Sequence, residues 1–179
     1  MKRFFSFALA LLLLAACSQK PTAVIEGSIE GAEETQIVLQ KLNFSKIQVI
    51  DTIKTTSDGT FTYKVKLSST SPGFYYLYHE GTKLASMVLL PKDKVTIKAD
   101  LNGNFTVEGS EESLLLQSID KEFLKTSAQL SDLAGRSADG EDVGLEMGRT
   151  YIEYRKTALK HVFGNPHSIT AATTLFQRF

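Results

Sequence analysis

Cysteine is nearly absent. The 179 residues contain one, at position 17, which excludes an internal disulfide, a Cys-x-x-Cys redox pair and a multi-thiolate zinc site. Histidine is scarce too, and His79, His161 and His167 are too few for a histidine-built metal centre. An excess of either charge is missing, with 20 Lys and Arg against 20 Asp and Glu. A nucleic-acid partner is therefore not expected, because phosphate contacts need a surplus of cations. No apolar run reaches the roughly 20 residues of a membrane-spanning helix. Gly-rich phosphate loops, G-x-S-x-G elbows and H-E-x-x-H helices are also lacking, so neither a cofactor nor a catalytic residue is expected. Hydrophobic residues at 42% and charged residues at 22% are ordinary for a folded domain, which sets aside wholesale disorder and a coiled-coil rod.

What is present begins with an address. Lys2 and Arg3 precede an apolar stretch from Phe4 to Ala16, the length of a secretory h-region. Leu14-Ala15-Ala16-Cys17 then resembles the bacterial lipobox, in which an aliphatic and two small residues precede a cysteine that is lipidated before cleavage. The resemblance implies a signal peptide over 1–16 and acyl chains on Cys17. Two or more such chains anchor a protein stably, at about 0.8 kcal/mol per buried CH₂. Removing Lys2 and Arg3 leaves 18 basic against 20 acidic side chains. Ser18 stands where an aspartate would favour inner-membrane retention in enteric bacteria, so the expected site is the outer membrane of a Gram-negative envelope, facing the periplasm. Residues 17–22 form the lipidated cysteine and a polar tether.

From Ala23 to Ser110 apolar residues alternate with polar ones between closely spaced turns, which predicts seven or eight strands. Ile25, Gly27 and Ile29 share one face of the first strand. Strands follow at 36–40 and 47–52. Ser57-Asp58-Gly59-Thr60 signals a tight hairpin into Phe61, Tyr63 and Val65. Phe74-Tyr75-Tyr76-Leu77-Tyr78 is an aromatic strand, and Ser86–Leu90 predicts a central strand covered on both faces. Two shorter strands, at 94–98 and 105–107, follow turns at Pro91-Lys92-Asp93 and Asn102-Gly103-Asn104. The fold class is mainly β with C-terminal helices: an antiparallel sandwich or open barrel over 23–110, then a helical hairpin.

Ser110 caps the first helix, with Glu111 and Glu112 at its positive end. Its expected buried stripe is Leu116, Ile119, Phe123, Leu130 and Leu133, ending by Gly135–Gly140. Met147, Tyr151, Tyr154, Ala158 and Val162 mark a second helix, stopped by Gly164-Asn165-Pro166. A third, capped by Ser168, carries Ile169, Ala172, Leu175 and Phe179 on one face.

The order of these motifs looks like that of a known family. Ile25-Glu26-Gly27-Ser28-Ile29 is followed by Asp51, Ser57-Asp58-Gly59-Thr60-Phe61, Pro72-Gly73-Phe74-Tyr75, Leu89-Leu90-Pro91-Lys92-Asp93-Lys94-Val95 and Val107-Glu108-Gly109-Ser110. It resembles the N-terminal sandwich of unknown function in envelope lipoproteins of the thioredoxin-like thiol–disulfide oxidoreductase type. In that family a helical segment ending in a motif like Asn165-Pro166-His167-Ser168 leads into a thioredoxin-like domain. The resemblance implies that 111–179 is a linker to such a domain, absent from this chain, and that redox chemistry belongs to the partner. The expected contacts are Ile169, Leu175 and Phe179, with a homodimer as a further option. A second expectation is a free-standing module that binds a glycan, peptide or protein through outward tyrosines, Tyr76 and Tyr78. Asp139-Gly140-Glu141-Asp142 lacks a full calcium loop and is expected to be a solvated turn.

Overall fold

Period-two alternation carries the first hundred residues into strands. The computed structural model describes residues 20–43 and 46–178. Its strands are β1 (Thr22–Glu30), β2 (Gln36–Asn43), β3 (Lys46–Lys54), β4 (Thr60–Lys66), β5 (Gly73–His79), β6 (Thr82–Leu89), β7 (Lys94–Asp100) and β8 (Phe105–Glu108). They form two four-stranded sheets ordered β4-β1-β7-β8 and β3-β2-β5-β6, with no closed barrel among the described residues. Neighbours run antiparallel except β1 and β7, which are parallel. Parallel strands cannot share a tight turn, and here the chain visits the whole second sheet between them. Gly27 belongs to that pair because a Cβ there would stand 2.0 Å from the Ile97 carbonyl oxygen.

The inner faces interdigitate. Ile25, Val65, Val95 and Ile97 of the first sheet meet Ile37, Leu39, Leu77, Met87 and Leu89 of the second, all fully buried. Each such side chain contributes about 1.5–3 kcal/mol by leaving water. A polar clasp joins the sheets at one margin, where the Tyr63 hydroxyl on β4 donates to Asp51 Oδ2 on β3 at 2.5 Å. That bond pushes the Tyr63 pKa up to about 12 and, with the Thr52 amide, holds the Asp51 carboxyl below its ordinary range.

Every expected strand is present, with two local corrections. The Asp58-Gly59 turn forms, with Asp58 accepting from the Thr56 and Thr60 hydroxyls, but it is not a hairpin. It carries the chain from β3 in one sheet to β4 in the other, and its Gly59 carbonyl accepts the Ile29 amide of β1 at 3.0 Å. The Ser86–Leu90 run is covered on both faces yet lies in an edge strand, β6. A helix supplies the second cover, so burial there does not require a second strand neighbour.

Three helices follow: α1 (Glu111–Ala138), α2 (Gly144–Gly164) and α3 (Ile169–Arg178). The α1 helix passes Gly135 and stops at Asp139 and Gly140, whose φ of 94° supplies the left-handed residue. Among the described residues, no helix is long and apolar enough to cross a membrane.

Candidate docking surface

Hydroxyls, a side-chain amide and carboxylates hold the helices on the sandwich. Ser110 accepts the Ser113 amide as N-cap of α1. Ser113, fully buried, then closes the open edge of β6: its hydroxyl accepts the Val88 amide and donates to the Val88 carbonyl, both at 2.9 Å. Gln117 Nε2 donates to the Phe105 carbonyl at 2.9 Å, tying α1 to β8. At the far end Arg136 reaches Glu141 at 2.8 Å and Glu146 at 3.3 Å, clamping the turn into α2. That contact accounts for Glu141, and no cluster of three potential metal ligands occurs among the described residues.

Glu112 holds α3. Its carboxylate accepts the Ser168 hydroxyl at 2.7 Å and the amides of Thr170 and Ile169 at 3.0 and 3.2 Å. Burial alone would push this carboxyl up, but those donors outweigh it and keep the group below the ordinary glutamate range. One side chain of α1 therefore caps the positive end of another helix 56 residues later. Ser168 also caps α3 as expected, accepting the Ala171 amide at 3.1 Å.

This cap turns α3 so that small residues face inward. Thr170, Ala171 and Thr174 are buried, while Ile169, Leu175 and Phe176 are exposed, Phe176 by 89%. Ile169 and Leu175 thus lie on the surface, and Phe179 lies outside the described residues. A hollow of about 180 Å³ beneath α3 is lined by Leu42, Phe74, Tyr76, Asp120 and Thr174. Tyr76 is half-buried there, and burial first, then the Asp120 charge, raises its hydroxyl pKa. Tyr78 is half-buried on the same strand, while Tyr75 faces the core. The outer tyrosine face is covered by helices at Tyr76 rather than open.

The helical stripes need correction as well. Ile119, Leu133, Tyr154, Ala158 and Val162 are buried, but Phe123 and Tyr151 are about half exposed. Phe123 leans on Tyr154 at the rim of the α1–α2 seam, ring centroids 6.1 Å apart. The seam is narrow because two helices share a single line of contact. A second stripe runs along α2, Leu145, Ile152, Leu159 and Phe163, at the helical spacing of 7, 7 and 4. Leu145 is 80% and Phe163 74% exposed. Of the twelve large apolar side chains exposed among the described residues, ten lie on the three helices.

Two clefts border this unit. One of about 560 Å³ separates α1 from the β7–β8 turn and is lined by Glu30, Lys98, Asp100, Phe105, Asp120 and Lys121. The other, about 370 Å³, lies between the start of α1 and the α2–α3 loop, and includes His167. His79 is engaged at a strand end with the Gln36 carbonyl at 3.1 Å, and His161 is half-buried in the last turn of α2.

The chain matches two family profiles. One, a domain of unknown function, DUF4369, covers residues 23–116, and the other, a prokaryotic membrane lipoprotein lipid attachment site, covers residues 1–18. Cys17, within the second, lies outside the described residues. No curated protein matches. Among solved structures, a DUF3823 family protein from Parabacteroides merdae ATCC 43184 is similar at 15% identity and a TM-score of 0.31, over 45% of each chain. An (S)-allantoin synthase is similar at 13% identity and a TM-score of 0.34, over 58% of this chain and 49% of its own. The chain spans about half the length of both.

Proposed function

The chain belongs to the DUF4369 family and carries a lipoprotein attachment site, and on that premise we propose that it is a non-catalytic, lipid-anchored module that docks a thioredoxin-like oxidoreductase in the cell envelope. In this proposal residues 1–16 are removed, 17–22 tether the chain to the outer membrane on its periplasmic side, 23–110 form a rigid spacer, and 111–179 present the partner surface. The observation that carries it is the inverted α3, which buries threonines and exposes Ile169, Leu175 and Phe176. An exposed apolar face costs solubility, and such faces mark interaction surfaces. Sedimentation of the mature chain with the thioredoxin-like oxidoreductase of the same envelope should give a complex. Ile169→Asp with Leu175→Asp should abolish it, and Tyr78→Ala should leave it intact. No complex, or one indifferent to the aspartates, refutes the docking.

A second function has its own observation. A free-standing ligand-binding module would use the 560 Å³ cleft, whose size suits a small ligand, instead of Tyr76, which α1 and α3 cover. Homodimerisation through α3 would appear in the same sedimentation experiment as self-association of the chain alone.

A further inference from the structure

We infer that the exposed stripe of α2 is a self-pairing surface: two copies of this chain join through antiparallel α2 helices, with Ile152 of each on the two-fold axis. The contact is separate from the α3 face.

The stripe is apolar and largely uncovered. At about 100° per residue, Leu145, Ile152, Leu159 and Phe163 fall within about 40° of one another around the helix. Tyr154 and Ala158, on other sides of α2, are buried. Leu145 is 80%, Ile152 52% and Phe163 74% exposed, and Leu159 is half-buried. Gly148 stands at the margin of the stripe. A glycine inside an exposed helix costs about 1 kcal/mol against alanine. A Cβ at Gly148 would meet nothing within 4 Å. The chain's own packing therefore does not call for this glycine, whereas a second helix lying close would.

Spacing and charge select a second copy as the occupant. A two-fold interface needs one surface that is complementary to itself. Leu145 and Leu159 stand seven residues either side of Ile152, so reversing the helix about Ile152 lays Leu145 of one copy on Leu159 of the other. In an antiparallel pair each flank of the helix faces the same flank of the other copy. One flank carries Glu146, Arg149, Glu153 and Lys160. The reversal brings Glu146 within two residues, about 3 Å along the axis, of the other copy's Lys160. It brings Arg149 equally near the other copy's Glu153. Within one chain Glu146 pairs with Arg136 at 3.3 Å and Glu153 with Lys156 at 2.8 Å, and both carboxylates keep their charge for a second cation. Lys156 comes opposite Gly148, where no side chain obstructs its stem. A parallel pair would face this flank with the other one, which carries Arg155 and no carboxylate, so one attractive contact would replace two. The contact is one helix wide, and lipid attachment supplies the encounter: the attachment site over residues 1–18 confines copies to one bilayer and raises their effective concentration.

The one thiol of the chain, at Cys17, is consumed by lipidation, so an introduced cysteine reports alone. The full lipidated chain carrying Ile152→Cys is oxidised in its membrane and run on a non-reducing gel. A disulfide-linked dimer is expected, absent from the unsubstituted chain. Leu145→Cys alone should give none, because the antiparallel pair holds the two positions about 21 Å apart along the helix, beyond disulfide reach. Leu145→Cys together with Leu159→Cys should restore the dimer. Arg149→Glu should lower the yield at position 152 several-fold, and adding Glu153→Arg should recover it. Ile169→Asp with Leu175→Asp should leave that yield unchanged. A chain that stays monomeric with Ile152→Cys overturns the pairing. A dimer from Leu145→Cys alone overturns the antiparallel register. Loss of the Ile152→Cys dimer with the α3 aspartates assigns the contact to α3 and overturns the proposal.

Discussion

Glu112 shows how much one side chain can decide. Its position in the first turn of α1 suggests only a favourable interaction with its own helix dipole. In the fold it also caps α3, so its deprotonated form stabilises two helix ends at once. The folded carboxyl titrates below the ordinary value of 4.5. The stability it adds is therefore present above that value and is lost as pH falls through the lower folded value. Hydrogen exchange should show α3 amides, from Ala171 to Thr174, losing protection in that acid window while β1 and β7 keep theirs. Glu112→Gln should remove the pH dependence, and Glu112→Ala should cost about 1 kcal/mol on the scale of a lost N-cap. Unchanged exchange in α3 across that window would show that the cap does not hold the helix.

At the scale of elements, β6 and α1 form one unit. An apolar run at a sheet edge is an aggregation hazard unless something covers it. Here the cover is α1, and Ser113 mimics the missing strand by pairing with both backbone groups of Val88. Ser113→Ala should destabilise the protein by about 1–3 kcal/mol, the cost of leaving the buried Val88 amide unpaired, while the Val88 carbonyl keeps the Ser110 hydroxyl at 3.2 Å. A shift of the urea midpoint with an unchanged slope would measure it, and no shift would mean that water replaces the hydroxyl.

At the scale of the molecule, the sandwich depends on its helices. The DUF4369 match ends at residue 116, inside α1. A chain cut after Ser110 would lose the cover over Val88 and over Phe74 and Tyr76 on the outer face of the second sheet. Sedimentation should show that truncated chain self-associating at concentrations where the whole mature chain does not. A monomeric, cooperatively melting truncated form would show that the sandwich is independent.

Alternation, turn chemistry and capping residues determined the elements: all eight strands, three helices, Ser110 and Ser168 as caps, and the lipid attachment site are local patterns of one to a dozen residues. What the tertiary structure decided is which elements meet. The Asp58-Gly59 turn has the chemistry of a hairpin yet joins two sheets, because β4 pairs with β1, which places Phe61 and Val65 in the core between the sheets. Ser86–Leu90 has the pattern of a central strand, because burial on both faces looks the same whether a sheet or a helix provides it. Ile169 and Leu175 form an apolar stripe that a short helix would ordinarily bury. Glu112 turns it outward, by a bond between residues 56 apart that no local pattern contains.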